Sequence, residues 1–123
     1  HGISIACHPK EYRREIYKMS RDAGLSFISC PTAWIDSRRE ETLTPTHNAV
    51  TPAEEMIAHG LVVAIGSDNI HDVYKPYSTG EMALELKFLL EALHMYDSET
   101  LVDIATKNGR LVIGMEEFKG GRE

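Results

Sequence analysis

Asp68 is the residue whose type and position most clearly predict chemistry in this sequence. It follows the apolar run 61–65 (LVVAI) at once, through Gly66 and Ser67. In parallel α/β folds, active sites lie at the carboxyl ends of buried strands. A carboxylate buried there needs a metal, a cation or hydrogen-bond donors, which predicts a metal ligand or a general base. The Ser-Asp-Asn run is equally typical of a turn that Asp68 caps, and its position alone leaves both interpretations open.

Aromatic and histidine side chains give weaker signals. Trp34, Tyr74 and Tyr77 fall in two predicted loops, where they could stack on a flat substrate or pack the loops down. The histidines are His1, His8, His47, His59, His71 and His94. No pair of them has the spacing of a metal site on one element. The sequence also contains no nucleophile elbow, phosphate-binding loop or dinucleotide fingerprint.

Helical and strand patterns alternate in the first half of the chain. They predict a helix over about 9–23, a strand over 25–29 and a long polar loop over 32–50. The apolar face of that helix is predicted to consist of Tyr12, Ile16, Met19 and Ala23. The opening run 2–6 could be a strand by propensity.

The second half continues the alternation. Thr51, Pro52 and Glu54 predict a helix that Thr51 caps, with Met56 and Ile57 facing inward. The run 61–65 is apolar on both faces, which is typical of a buried parallel strand. Two more helices are predicted from apolar positions, the first from Met82, Leu86, Leu89, Leu90 and Leu93 and the second, starting at Ser98, from Leu101, Val102 and Ala105. This order indicates an α/β fold with a parallel sheet.

Composition and charge exclude several classes of protein. The hydrophobic fraction of 42% and charged fraction of 26% indicate one small soluble domain. A net charge of -6 with scattered basic residues argues against a nucleic-acid partner. No apolar run reaches the roughly 20 residues of a membrane span, and no secretory signal is present. Two cysteines, Cys7 and Cys30, make no disulfide framework, so a cytoplasmic location is expected.

The segment around Asp68 resembles a known family. The run 63–72 (VAIGSDNIHD) and the following YKPY at 74–77 resemble the eighth-strand segment of cytosine-deaminase-like members of the metal-dependent amidohydrolase superfamily. In that family a Gly-x-Asp-[Asp/Asn] motif leads into Asp-Pro-[Phe/Trp]-Tyr-Pro. The run 27–31 (FISCP) is similar to the family's seventh strand, with ungapped spacing to Asp68. His1 falls where the family places the histidine that ends the sixth strand.

The resemblance implies a particular fold. It implies a partial (β/α)8 TIM barrel, about the last two to three βα units, with parallel strands and flanking helices. Residues 1–123 would be a C-terminal fragment of an amidohydrolase barrel domain, and 2–7 would be the start of the loop after strand six rather than a strand. The chain starts at His1 rather than at a methionine, and 120–123 form no obvious closing element, which favours a piece of a longer protein.

The resemblance also implies an activity and its residues. The activity would be hydrolysis of a C–N bond in a small cyclic amidine or amide, with cytosine as the lead substrate and one divalent metal ion, zinc or iron, as cofactor. Asp68 would ligate the metal and shuttle a proton, and His1 would hydrogen-bond the attacking water or the substrate oxygen. Asn69, Tyr74 and Trp34 would contact the small-molecule substrate. No nucleic-acid or membrane partner is expected, and a homo-oligomer is left open.

Departures from the family pattern leave alternatives. Asn69 replaces a second acidic residue of some members, Val73 replaces a proline, and Tyr74 replaces a tryptophan or phenylalanine. A cyclic-amide or triazine-type amidohydrolase is therefore the alternative substrate class. The family's HxH of strand one and its histidine and glutamate of strand five are not in this sequence, so the chain alone is expected to be inactive. A non-catalytic α/β binding or oligomerisation module is the alternative of a different class.

Overall fold

The computed structural model describes residues 3–6, 8–35 and 50–115. Two short parallel strands lie at the centre of this part of the chain: β1, Phe27–Ser29, and β2, Val63–Ile65. Phe27 pairs with Val63 and Ser29 with Ile65. The Phe27 N–H donates to the Val62 carbonyl (2.9 Å) and the Gly66 N–H to the Ser29 carbonyl (2.8 Å), which extends the pairing at both ends. The predicted α/β class with parallel strands is confirmed.

Helices surround the strands in the described part of the chain. They are α1 (Ile3–Ala6), α2 (Lys10–Asp22), a 3-10 helix (Pro31–Ile35), α3 (Ala53–Ala58), α4 (Met82–Leu93), α5 (Ser98–Ala105) and α6 (Lys107–Val112). None is long and apolar enough to cross a membrane. The predicted helices at α2, α3, α4 and α5 are confirmed. The strand propensity of the opening run is wrong for 3–6, because Ile5 buries its side chain as part of a helical turn and tertiary packing overrides propensity.

The buried core lies between the strands and the helices. Its members are Ile5, Tyr17, Trp34, Ala53, Met56, Leu61, Val63, Leu89, Leu101 and Ile104. Asn108 holds α6 against the sheet, because its Nδ2 donates to the Val63 carbonyl (2.8 Å). On α5, Leu101 and Ile104 are buried, whereas Val102 and Ala105, two of the apolar positions that indicated this helix, are exposed. Asp97 caps α5 by accepting from the Thr100 N–H (2.9 Å), which fixes the start of the helix.

The face of α2 that the apolar pattern predicted to be buried is wrong, because the helix is rotated so that a neighbouring face is buried. Met19 and Tyr12 are exposed, whereas Tyr17 and Ser20 are buried. The reason is a hydrogen bond between Tyr17 and a carboxylate on α3. The Tyr17 ring enters the core while its hydroxyl donates to Glu55 Oε2 on α3 (3.1 Å). A pattern that counts only apolar residues misses a face whose anchor is a tyrosine with a buried polar partner.

Thr51 does not cap α3 as predicted. Its hydroxyl accepts a hydrogen bond from Trp34 Nε1 (3.1 Å), and α3 has no side-chain cap at its start. The predicted loop after residue 32 likewise begins as the 3-10 helix, which carries Trp34 into the core with 4% of its surface exposed. A buried indole N–H needs an acceptor, and Thr51 supplies it.

Glu55 joins α2 to α3 through a charged cluster. Its carboxylate accepts from Arg13 Nε (2.9 Å) and Nη2 (3.2 Å) and from the Tyr17 hydroxyl. Hydrogen bonds from Arg13 lower the pKa of Glu55 below its ordinary value of 4.5. Burial, together with the Glu55 charge, raises the pKa of Tyr17 to about 12. Both groups therefore keep their present protonation states at neutral pH.

Acid is expected to weaken this cluster. Because the pKa of Glu55 is lower in the folded than in the unfolded protein, its contribution to stability is present above pH 4.5. That contribution is lost as the pH falls through the folded-state pKa. E55Q should therefore flatten the fall of the thermal midpoint of the full-length protein below pH 4.5. E54Q, at an exposed neighbour on α3, is the matched control and should keep the wild-type slope. Equal slopes for wild type and E55Q would contradict the prediction.

Candidate active site at the carboxyl ends of the strands

The carboxyl ends of β1 and β2 lie side by side because the strands are parallel. Cys30 follows β1, and Gly66 follows β2. A Cβ atom at Gly66 would lie 2.8 Å from Ile28 Cγ2 and 3.5 Å from Cys30 Sγ. Only glycine allows this close approach, so the two strand ends form one edge.

Asp68 lies at this edge, two residues beyond Gly66. Its backbone has a φ of 58°, in the left-handed region that aspartate tolerates better than most residues. Its side chain is 24% exposed, and Oδ2 lies 3.9 Å from Lys75 Nζ. The carboxylate is therefore partly open to solvent, as a general base or a metal ligand must be, and Lys75 places a positive charge beside it.

Lys75 approaches Asp68 from the loop that follows β2. The residue is only 7% exposed, and its ammonium donates a hydrogen bond to the Ser67 carbonyl. Asp72 Oδ1 shapes the loop by accepting from the N–H groups of Tyr74 (3.0 Å) and Lys75 (2.8 Å). This turn, formed by an aspartate side chain with the backbone ahead of it, directs Lys75 inward and leaves Tyr74 exposed.

The loop after β1 is held by a buried carboxylate on α4. Glu85 is 1% exposed, and it accepts from the Thr32 N–H (2.8 Å) and the Thr32 hydroxyl (2.6 Å). Two hydrogen bonds to one carboxylate compensate for its burial. Glu85 therefore fixes the first turn of the 3-10 helix, directly after Cys30.

Cys30 is a thiol rather than a thiolate at this edge. Burial raises the pKa of Cys30, and the nearby Asp68 carboxylate raises it further. A neutral thiol is a poor nucleophile, which leaves Asp68 as the candidate reacting group at this edge.

The residues predicted from the sequence are only partly brought together. Asp68, Asn69 and Tyr74 lie in the single loop after β2, with Asn69 half-buried. Trp34 is buried in the core and bonded to Thr51, and His1 lies outside the described residues. The substrate and catalytic roles assigned to these residues remain predictions.

Sequence reasoning missed Lys75 and Glu85. For Lys75 a signal was available, since Asp72 stands three residues ahead of it and such an aspartate often organises a turn. For Glu85 there was none, because a glutamate within a helix is usually solvated. Its burial follows from a contact with Thr32, 53 residues away in sequence.

A complete metal site is not formed by the residues that the structure describes. Within 3–6, 8–35 and 50–115, no three histidine, cysteine, aspartate or glutamate side chains come close enough to hold a metal ion. Catalytic zinc sites use three protein ligands and an open position. Asp68 could supply one of them, so the described residues do not by themselves fit a catalytic metal.

Solved structures share this fold. The chain matches 5-methylcytosine deaminase from Klebsiella pneumoniae liganded with 5-fluorocytosine, with a TM-score of 0.76 and 24% identity, over 91% of this chain and 28% of that one. The same enzyme liganded with phosphonocytosine matches with a TM-score of 0.75, 24% identity and the same coverage. At this identity the match establishes similarity of fold.

Sequence comparisons agree with the structural ones. The chain is 26% identical over 123 residues to N-isopropylammelide isopropyl amidohydrolase of Pseudomonas sp. strain ADP, covering 98% of this chain and 27% of that protein. It is 60% identical over 57 residues to an uncharacterized protein of Haemophilus influenzae, covering 46% of this chain and 21% of that protein. No protein-family model matches.

The predicted resemblance is therefore confirmed: the fold is similar to that of a 5-methylcytosine deaminase, and the sequence is similar to that of an amidohydrolase. The chain spans about a quarter of the length of the relatives that it matches over nearly its whole extent.

Proposed function

We propose that the chain is part of a metal-dependent hydrolase that cleaves a C–N bond in a small nucleobase-type ring, as a cytosine deaminase does. The observation that carries the proposal is the position of Asp68, at the carboxyl end of β2 in a fold shared with 5-methylcytosine deaminase. Carboxyl ends of parallel strands are where enzymes of this architecture place their reacting groups.

A second substrate class has support of its own. A relative that matches nearly the whole chain is named N-isopropylammelide isopropyl amidohydrolase, and hydrolysis of the ring C–N bond of that compound would release isopropylamine. Hydrolysis of a ring-bound amine is the same type of reaction as hydrolysis of a ring amino group, and only the leaving amine differs. Triazine-type or cyclic-amide rings are therefore the alternative to cytosine.

The sheet supports a partial barrel as the architecture. Side chains alternate between the two faces of a strand. Phe27 and Val63 pack with the core residues that the helices cover, whereas Ile28 points to the other face and is 44% exposed. In a closed barrel that face is the interior. Residues 1–123 would then be the C-terminal part of the barrel, and other parts of the same protein would cover Ile28.

The chemistry assigns a role to each residue. A divalent zinc or iron ion would supply an activated water when bound. Asp68 would be one ligand, and its carboxylate would hold a proton at Oδ and pass it to the leaving nitrogen. His1 would hydrogen-bond the attacking water or the substrate oxygen. The remaining ligands would come from protein outside these 123 residues, because one carboxylate falls short of the usual three.

Substrate contacts follow the geometry of the edge. Asn69 and Tyr74 lie in the same loop as Asp68, and the exposed Tyr74 ring is free to stack on a flat ring. Trp34 is buried behind the edge, so it would touch a substrate only if the loop after β1 repacked. Its role in the bound state would then be specificity rather than catalysis.

The test uses the full-length protein, loaded with zinc or iron and assayed on cytosine, 5-methylcytosine and N-isopropylammelide. Cytosine and water would give uracil and ammonia, whereas N-isopropylammelide would release isopropylamine. Ammonia release supports a deaminase, and isopropylamine release supports the triazine alternative. Removal of the metal by a chelator should abolish either activity. No C–N cleavage with any ring would contradict the proposal and favour a non-catalytic module.

A further inference from the structure

We propose that Lys75 is a positioning residue, which holds the Asp68 carboxylate in place at the carboxyl end of β2. The inference rests on the proposed function of Asp68 and adds a residue to it. Lys75 Nζ bonds the Ser67 carbonyl and lies 3.9 Å from Asp68 Oδ2, so one side chain contacts two consecutive residues at the strand end.

Because Lys75 is buried, its ammonium depends on the partners that the protein provides. A lysine ammonium carries three donors and is seldom buried without partners. The Lys75 side chain is 6% exposed, so its charge depends on the partners that the protein provides. The Ser67 carbonyl and the Asp68 carboxylate are the partners on the strand side. Withdrawal of the ammonium would therefore remove a positive charge from beside Asp68.

Backbone hydrogen bonds within the loop also fix the position of Lys75. Its backbone N–H donates to Asp72 Oδ1, and its carbonyl accepts from the Ser78 N–H (3.2 Å). The His71 N–H donates to the Ser78 carbonyl (3.2 Å), which closes the loop on itself. Lys75 thus links a loop that has its own internal hydrogen bonds to the end of β2. Asp68, whose φ of 58° is uncommon for a residue other than glycine, is held at that connection.

The role differs from simple support of the loop in a measurable way. A residue that only stabilised the loop would affect the thermal midpoint and leave the turnover of the folded enzyme unchanged. A residue that orients the reacting carboxylate affects kcat, because small misplacements of reacting groups cost large factors in rate.

The kinetic experiment compares K75M, K75R and K107M in the full-length, metal-loaded protein. K75M, which keeps most of the length but removes the charge, is expected to lower kcat by about 10- to 100-fold with a nearly unchanged KM. K75R should recover part of kcat, because a guanidinium can donate to the Ser67 carbonyl and keeps a positive charge beside Asp68. K107M, at an exposed lysine of α6, should behave as wild type. If K75M keeps the wild-type kcat, the inference fails while the proposed function stands.

A second readout does not depend on activity. Reductive methylation followed by mass spectrometry reports the accessibility of each lysine amine in the full-length protein. Lys75 should react more slowly than Lys107, and D68N should accelerate the reaction of Lys75 alone. If the wild type turns over no substrate, the proposed function fails, and methylation still decides whether Lys75 pairs with Asp68. Equal Lys75 rates in wild type and D68N would overturn the pairing.

Discussion

D68N in the full-length protein is expected to lower kcat by about 100- to 10,000-fold, the range found when a positioned acid or base is lost. Asparagine has nearly the shape of aspartate, so the turn after β2 should survive. Its amide cannot take up a proton at neutral pH and is a weaker metal ligand than a carboxylate. Turnover of the best ring substrate, measured together with the metal content of the purified variant, separates loss of the base from loss of the metal.

The controls for D68N address charge and folding. D22N removes a carboxylate whose side chain is 52% exposed and pairs with Lys18 at the surface (2.7 Å), an interaction that contributes little. It should leave kcat unchanged. The thermal midpoint of D68N should fall only modestly, because Asp68 is partly solvated and the Ser67 carbonyl still accepts from Lys75. A D68N variant with wild-type kcat would remove Asp68 from the mechanism.

E85A is expected to produce the largest loss of stability among single substitutions of charged residues described above, about 3 kcal/mol. Truncation removes both hydrogen bonds to Thr32 and leaves the N–H and the hydroxyl of this half-buried residue without their acceptor. It also leaves a cavity beside the 3-10 helix. The loop after β1 should loosen, so the thermal midpoint of the full-length protein should fall by several degrees, and amide exchange at Thr32 should accelerate.

Graded variants identify the cause of that loss. E85Q keeps one acceptor oxygen and should be less destabilised than E85A. T32V removes the hydroxyl donor, so E85A and T32V together should cost less than the sum of the two single changes. E91A, at an exposed glutamate on the same helix, controls for helix propensity and net charge. A midpoint for E85A equal to that of E91A would show that Thr32 does not depend on Glu85.

The E85A and D68N experiments test different roles at the same edge, support of the backbone in one case and the reaction itself in the other. Glu85 lies behind the strand ends and holds the backbone after β1, whereas Asp68 lies at the front and faces solvent in part. Loss of Glu85 should therefore lower the thermal stability, and activity should fall only as a consequence of that loss. Loss of Asp68 should lower activity directly.

Local sequence was sufficient to determine the elements around the site. The run 61–65 is apolar and contains three β-branched residues, which is typical of a buried strand, and Gly66 and Asp68 follow it directly in the sequence. The helices at α4 and α5 were equally predictable, since their apolar positions repeat with the helical period. The place of Asp68 after that strand made it a candidate, and the resemblance of the run 63–72 to the amidohydrolase segment favoured a metal ligand over a turn cap.

Tertiary structure decided which side chains meet. Tyr17 on α2 donates to Glu55, so this face of the helix is the buried one. The Thr51 hydroxyl accepts from Trp34 instead of capping α3. Glu85 is buried where it accepts from Thr32. Each is a polar contact between residues at least 17 positions apart, so no periodicity within one element records it. Lys75 belongs to the same group in part, because Asp72 formed its turn locally but only folding brought its ammonium to Asp68. Hydrophobic periodicity reports burial of an element, whereas the pairing of buried polar groups depends on how the elements pack.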